Sequence, residues 1–347
     1  FRRVLFRSRW QNGGLLLLDQ LKLPVEEEWV EIDSYEQGAE AIRSMIVRGA
    51  PAIGVTAAYS YALAFKETHW SETRSAQVCA DLLATRPTAV NLKWALERME
   101  ASAKGYFVSK VPSQPEIFSF LEGEASAIHE EDIAMNEQIG RHALELIPDN
   151  ARILTHCNAG SLATGGYGTA LGVIYSAHEN KLVERVWVDE TRPFLQGARL
   201  TAYELHKAEV PYTLICDNMA GSIMAKGDID LVIVGSDRIV ANGDVANKIG
   251  TYSVAVLAHH HGIPFYVAAP SSTIDFQLVS GDQIPIEERS RSELGVCHGV
   301  QIAPSLDNIF NPGFDVTPAQ LVSGIITERG VHRAPYAKTL RVNQHTR

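Results

Sequence analysis

Apolar and polar positions follow one rhythm before about residue 145 and another after it. In the first stretch the apolar residues recur mainly at helical spacing. Residues 35–49 (YEQGAEAIRSMIVRG) carry the three-and-four period of an amphipathic helix and run to Gly49, a common helix stop. Residues 51–67 (PAIGVTAAYSYALAFKE) predict an alanine-rich helix opened by Pro51, whose missing N–H costs nothing in a first turn. Residues 75–87 predict a helix that stops ahead of Pro87, because proline disfavours helical geometry in the residue before it. Further helices are predicted over 89–105 and 115–147, and 13–24 and 26–33 read as short strands of a small sheet.

After the turn signal Pro148-Asp149-Asn150, short β-rich runs alternate with helical stretches. The runs are 151–156 (ARILTH), 184–190 (ERVWVDE), 210–217 (VPYTLICD), 229–237 (IDLVIVGSD) and 263–270 (IPFYVAAP). Helices are predicted over 169–179, 198–208, 222–227 and 251–261. Alternation with strongly apolar strands implies an α/β fold: a Rossmann-like, doubly wound parallel sheet. The predicted organisation is a smaller, mainly helical N-terminal domain with a small antiparallel sheet over 9–143, then a Rossmann-like catalytic domain over 144–347. The opening FRRVLFRS has the look of a foreign leader and is set aside from fold reasoning.

Ligands of such sheets bind at the carboxyl ends of the strands, so the residues there carry the chemistry. They are Cys157-Asn158 after the first strand, Asp189 to Arg192 and then Gln196 after the second, and Cys216-Asp217 after the third. Asp237-Arg238 follows the fourth, with Asn247-Lys248 shortly beyond, and Ser271 to Thr273 follows the fifth. Cys157 is either a small core residue or a reactive thiol; its position ahead of glycine-rich backbone suits proton transfer or nucleophilic work. Asp237 is either a helix N-cap or a general acid/base. Cys216, inside an apolar run, reads as core. The loop from Gly160 to Gly168 leads into a helix and offers N–H groups suited to a phosphate. Leu171 stands where the third glycine of a dinucleotide fingerprint belongs, which disfavours a nicotinamide dehydrogenase. The run His259-His260-His261 closes a predicted helix, and adjacent helical positions point apart, so no metal site is read there. Glu287-Glu288 reads as a helix or loop cap.

Charge narrows the partners. A net charge of −10 over 347 residues argues against a general nucleic-acid surface. The four cysteines are scattered without CxxC pairing, which fits a reducing cytoplasm. No apolar run approaches the length of a membrane span.

Several strings then coincide. RGAPAIG (48–54), RPTAVNLKWALER (86–98), THCNAGSLATGGYGTALG (155–172), ETRPFLQGARLTAYEL (190–205), GSDRIVANGDVANKIGTY (235–252) and PFYVAAPSSTID (264–275) resemble the methylthioribose-1-phosphate isomerase family, as do IPIEER (284–289), NPGFDVTP (311–318) and GIITERG (324–330). The resemblance implies a cofactor-free, metal-free aldose–ketose isomerase of methionine salvage, usually a homodimer. It would convert 5-methylthio-α-D-ribose 1-phosphate into 5-methylthio-D-ribulose 1-phosphate. It implies catalytic roles for Cys157 and Asp237, and substrate binding by Arg48, Gly49, Ala50, Arg86, Gln196, Asn247 and Lys248. Asn158 and the loop N–H groups are candidates for stabilising oxyanion charge, and Pro51, Ile53, Leu195 and Met219 for holding the methylthio tail. An interdomain cleft that closes on the substrate is expected. Two alternatives remain: an isomerase of 5-deoxyribose 1-phosphate or ribose 1,5-bisphosphate, and a regulatory subunit like those of the eukaryotic initiation-factor exchanger, which share the fold without the activity.

Overall fold

The computed structural model describes residues 8–87, 89–107, 112–297 and 299–342; most of the opening FRRVLFRS lies outside them. The chain divides into two compact units. One is the chain up to Asn136 together with Gly160–Gly168; the other is Glu137–Ala159 with Thr169 onward.

The first unit begins with an antiparallel sheet of β1 (Arg9–Gln11), β2 (Gly14–Leu18) and β3 (Trp29–Ile32). Helices α1 (Tyr35–Arg43), α2 (Ala50–Leu63), α3 (Glu72–Leu83), α4 (Val90–Phe107) and α5 (Gln114–Ala143) follow, the last extending past Asn136 into the second unit. The periodic stretch read as one helix to Gly49 is shorter than its pattern. Helix α1 ends at Arg43, and Met45 takes the left-handed conformation at φ 67°. The chain then turns back, so that Val47 N–H reaches Ala41 and the Ile46 carbonyl accepts from Gln20. Helix α2 is apolar on every face and lies at the centre of the core.

One buried polar cluster interrupts this core. Asp132 and His129 stand one turn apart on α5 and grip both sides of a single residue of the 160–168 loop. Asp132 Oδ2 accepts from Gly165 N at 2.6 Å and from Asn136 Nδ2 at 3.0 Å, while His129 Nε2 donates to the Gly165 carbonyl at 2.6 Å. Burial pushes the Asp132 carboxyl up to about 6 against the pull of those two hydrogen bonds.

The second unit contains β4 (Ala151–Thr155), α6 (Ala170–Glu179), β5 (Val183–Asp189), α7 (Ala202–Lys207), β6 (Tyr212–Ile215), α8 (Ala220–Ala225) and β7 (Leu231–Val234). Then come β8 (Arg238–Val240), β9 (Val245–Lys248), α9 (Thr251–His260), β10 (Phe265–Ala268), β11 (Ile274–Asp275), α10 (Arg291–Gly295), β12 (Val296–Cys297), β13 (Val300–Gln301), β14 (Phe314–Thr317), β15 (Gly324–Thr327), β16 (Gly330–His332) and α11 (Tyr336–Val342). The main sheet has the order β16-β15-β10-β7-β4-β5-β6 and is parallel except for the pairing of β15 with β16. A doubly wound parallel sheet is therefore what the chain forms. From β4 the connections run one way to β5 and β6 and the other way to β7, β10 and β15, so β4 and β7 flank the topological switch point. Strands β15 and β16, and a second sheet ordered β11-β8-β9-β14, extend beyond the five strands predicted. Cys216 is exposed rather than core: β6 is the edge strand and stops at Ile215, one residue short of it. Among the described residues no helix is long and apolar enough to cross a membrane.

The Asp132 cluster sets a measurable pH dependence. A carboxyl raised to about 6 in the folded chain, against roughly 3.9 when unfolded, binds its proton more tightly when folded. Its contribution is therefore complete below about pH 4 and is lost as pH rises through about 6, by on the order of 1–3 kcal/mol. Urea unfolding of Asp132→Asn should lack this loss, so the variant gains on the parent by that amount between pH 4 and pH 7. Stability curves that stay parallel across this range would contradict the assignment.

Candidate active site

The carboxyl ends of β4 and β7 bring the two candidate catalytic residues onto neighbouring strands. Ile153 and Leu154 pair with Leu231 and Val232, so Cys157 and Asp237 leave the sheet on the same side. The two exits touch. A Cβ on Gly235 would stand 2.6 Å from the Ala159 Cβ, so only glycine lets the chain after β7 pass so close to the chain after β4. Asp237 caps no helix. It is half-buried at the start of β8, and its N–H donates to the Ala246 carbonyl at 3.0 Å. Strands β8 and β9 pair antiparallel with Arg238 opposite Ala246, so Asn247 and Lys248 lie on the strand beside Asp237. The turn dipeptide Asn242-Gly243, a hairpin signal, is what makes this juxtaposition.

Cys157 is held by its backbone. It is buried and left-handed at φ 66°. Its N–H donates to Thr191 Oγ1 at 2.8 Å, and its carbonyl accepts from Thr201 Oγ1 at 2.6 Å. Thr191 is itself left-handed at φ 62°, a costly conformation for a β-branched residue, and Leu195 follows at φ 57°. The Asp217 carboxylate holds this turn, accepting from Thr191 N and Arg192 N at 2.7 Å each. Gln196 is buried just before the π-helical turn Gly197–Thr201, and its Oε1 has no protein donor. Asn247 donates to Thr251 Oγ1 at 3.0 Å; Lys248 Nζ donates to the Gly313 carbonyl at 3.0 Å and lies over the Phe314 ring.

Beside Cys157 lies a pair of which strand-end reading singled out Asp189 but not His156. The side chains of His156 and Asp189 are buried, with Nδ1 and Oδ2 3.0 Å apart, and Nε2 is 2.9 Å from the Ile249 carbonyl. A carbonyl only accepts, so Nε2 carries a proton. Burial works against a charged imidazole, but the hydrogen bond and charge of Asp189, aided by Ile249, outweigh it and hold His156 above the usual histidine range. Burial likewise raises Asp189, only partly offset by His156. The pair therefore keeps the proton between Nδ1 and Oδ2. Coordinating atoms of His156, Asp189 and Asp217 lie within 4.8 Å of one another. Both imidazole nitrogens and both Asp217 oxygens are already engaged in hydrogen bonds within the protein, so the cluster fits a hydrogen-bonded strut rather than a cation site.

Two expected contributions change. Both N–H bonds of the Asn158 amide are used, on Glu204 Oε1 at 2.8 Å and on Thr201 Oγ1 at 3.3 Å, so this side chain is a brace and not an oxyanion donor. Five amides of the glycine-rich loop are taken up within the protein. Ala163, Thr164, Gly165, Gly166 and Gly168 donate to Gly160, Ser161, Asp132 and the Thr164 hydroxyl, and Thr169 and Leu171 donate to the Ala159 carbonyl. These amides hold the turn and are not left for a phosphate. Glu287 is ion-paired with Arg289 in a loop, and His259 to His261 close α9 as expected.

The first unit holds the remaining candidates. Arg48 is buried, Gly49 at φ 95° precedes α2, and Ala50 opens that helix. A Cβ on Gly49 would lie 2.5 Å from the Ala163 Cα, so this unit packs the Arg48–Ala50 turn directly on the 160–168 loop. Arg86 is half-buried after α3. Of the residues considered for the methylthio tail, Ile53 belongs to this unit's core, whereas Met219 in the other unit is exposed.

The model of the initiation factor 2 subunit family matches residues 46–334. Methylthioribose-1-phosphate isomerase of Syntrophotalea carbinolica is 58% identical over 336 residues, covering 95% of this chain and 97% of that protein. The crystal structure of 5-methylthioribose 1-phosphate isomerase from Pyrococcus horikoshii superposes with a TM-score of 0.89 at 44% identity, covering 96% of this chain and 94% of that one. A structure described as the delta subunit of a translation initiation factor from A. fulgidus superposes with a TM-score of 0.85, also at 44% identity, covering 96% of this chain and 97% of that one. The chain belongs to the initiation factor 2 subunit family and, within it, to the methylthioribose-1-phosphate isomerases.

Proposed function

We propose that this protein is an aldose–ketose isomerase that converts 5-methylthioribose 1-phosphate into 5-methylthioribulose 1-phosphate in methionine salvage. The observation that carries the reading is the placement of a thiol and a carboxylate, Cys157 and Asp237, after the two strands that flank the switch point. The phosphate on the anomeric carbon prevents spontaneous ring opening, so the enzyme must protonate the ring oxygen as the C1–O bond breaks. Asp237 is the acid for that step. Hydrogen then moves from C2 to C1 while the C2 hydroxyl gives up its proton and becomes the ketone. Cys157 either takes the C2 proton, which returns at C1, or stabilises charge during a hydride shift. Arg48, Arg86 and Lys248 neutralise the phosphate. Gln196, with a buried amide oxygen that no protein group satisfies, accepts from a sugar hydroxyl. Gly49, Ala50 and Asn247 complete the binding set, and no metal or organic cofactor takes part.

The protein acts in the cytoplasm as a homodimer. The four cysteines are free thiols, which supports a reducing compartment. Val300, Ile302 and Phe310 are exposed in one stretch of the second unit, which supports an apolar contact face.

Purified protein should turn over methylthioribose 1-phosphate. Folded Cys157→Ala and Asp237→Asn variants should lose roughly 10²–10⁴ in kcat. The likeness to the A. fulgidus subunit favours a second, non-catalytic reading; a folded parent inactive on this substrate, on 5-deoxyribose 1-phosphate and on ribose 1,5-bisphosphate would establish it instead. Lys248→Ala should raise KM about ten- to a hundredfold with kcat near parental, the signature of lost phosphate binding. An unchanged KM would remove Lys248 from the site. In deuterated water, solvent label at C1 of the product would assign the enediolate route.

A further inference from the structure

His156 is buried, fully hydrogen-bonded and next in sequence to Cys157, yet the proposed chemistry gives it no part. Its two nitrogens join two segments that carry other site residues. Nδ1 is tied to Asp189, at the end of β5, two residues before the Thr191 hydroxyl that receives the Cys157 N–H. Nε2 is tied to the carbonyl of Ile249, the residue that follows Asn247-Lys248. We propose that His156 is a positioning residue for the isomerisation, its imidazole setting the spacing between the Cys157 turn and the Asn247-Lys248 segment. This rests on the assignment of Cys157, Asn247 and Lys248 given above.

Neither end of the strut is slack. Gly250, at φ 104°, lies against the ring, where a Cβ would come within 2.8 Å of Cε1 and 2.9 Å of Nε2, so no other residue admits this approach. Asp315 fixes the segment from the other side, accepting from Gly250 N at 2.7 Å and Tyr252 N at 3.0 Å, and its own strand pairs it with Asn247. Asp217 fixes the far end through Thr191. The carboxylates whose charges act on this strut are thus Asp189, Asp217, Asp315 and, through Asp189, Glu190. With both nitrogens engaged, the ring has no lone pair or proton left for a substrate, which is why it acts through other residues. A residue that only filled space would need neither link.

The two links can be cut separately. The asparagine amide of His156→Asn falls near the Nδ1 position and keeps the Asp189 link, whereas the glutamine amide of His156→Gln reaches the Nε2 position and keeps the Ile249 link. Steady-state kinetics on the full chain with methylthioribose 1-phosphate should separate them. His156→Asn should raise KM about tenfold with kcat within about threefold; His156→Gln should lower kcat about tenfold with KM within about threefold, each roughly the effect of one buried hydrogen bond. Asp189→Asn, which still donates to Nδ1 of a neutral imidazole, should stay close to parental kcat, and Asp189→Ala should reproduce the glutamine variant. This second pair decides the matter where a His156 variant fails to fold. Folded variants that keep both parameters within twofold, or that lose kcat and KM together in step with melting temperature, would overturn the proposal. An inactive parent would overturn the isomerase reading instead. The strut would then be judged by calorimetric affinity for the same sugar phosphate, weakened about tenfold in His156→Asn if it holds and equal to the parent's if it does not.

Discussion

One backbone conformation organises the end of the sheet where the candidate site lies. Cys157 is left-handed, a state disfavoured by on the order of 1–2 kcal/mol in an L-residue, and persists because both of its peptide groups are captured by threonine hydroxyls. Thr191, which captures the N–H, is itself left-handed and is held by the Asp217 carboxylate. Strain at one residue is thus sustained by strain at a second, and the second by a charged anchor. A loop of ordinary geometry would let the thiol swing. Here the main chain fixes where the side chain begins, and buried strain of this kind gathers where pre-organisation is needed.

The polar groups around this turn explain why the site is built from braces rather than free donors. A buried polar group without a partner costs about 1–3 kcal/mol, which favours pairing the donors around the turn within the protein. Asn158 serves Glu204, which Tyr175 also reaches. The glycine-rich amides serve one another and the clasp on α5. The Gln196 amide oxygen is buried without a protein donor, as are Asp189 Oδ1 and the Thr56, Thr273 and Thr317 hydroxyls, and Gln196 lies next to the turn that holds Cys157.

Much of this was legible along the chain. The alternation after residue 145 implied the parallel sheet because a parallel strand buried on both faces must be apolar throughout, as β7 and β10 are. Polar residues at strand ends marked the candidate site because side chains there escape the core. The helix misread to Gly49 shows the limit: Met45 suits a helix well, yet the chain turns back there and the Ile46 carbonyl is taken by the distant Gln20 N–H. Cys216 shows another, since nothing in an apolar run tells an edge strand from a central one.

The sequence by itself determined most of the element types, the switch from helical to alternating pattern and which residue types stand at the strand ends, because periodicity and residue chemistry are local properties. Only the tertiary structure decided which groups remain available. Whether Asn158 donates to a substrate or to Glu204, whether the Gly165 amide faces a phosphate or Asp132, and whether His156 is a bystander or a strut all depend on residues tens of positions away. Hydrogen-bond partners are chosen by the packing of strand ends, and strand order is set by which faces can be buried together, which no single stretch of chain contains.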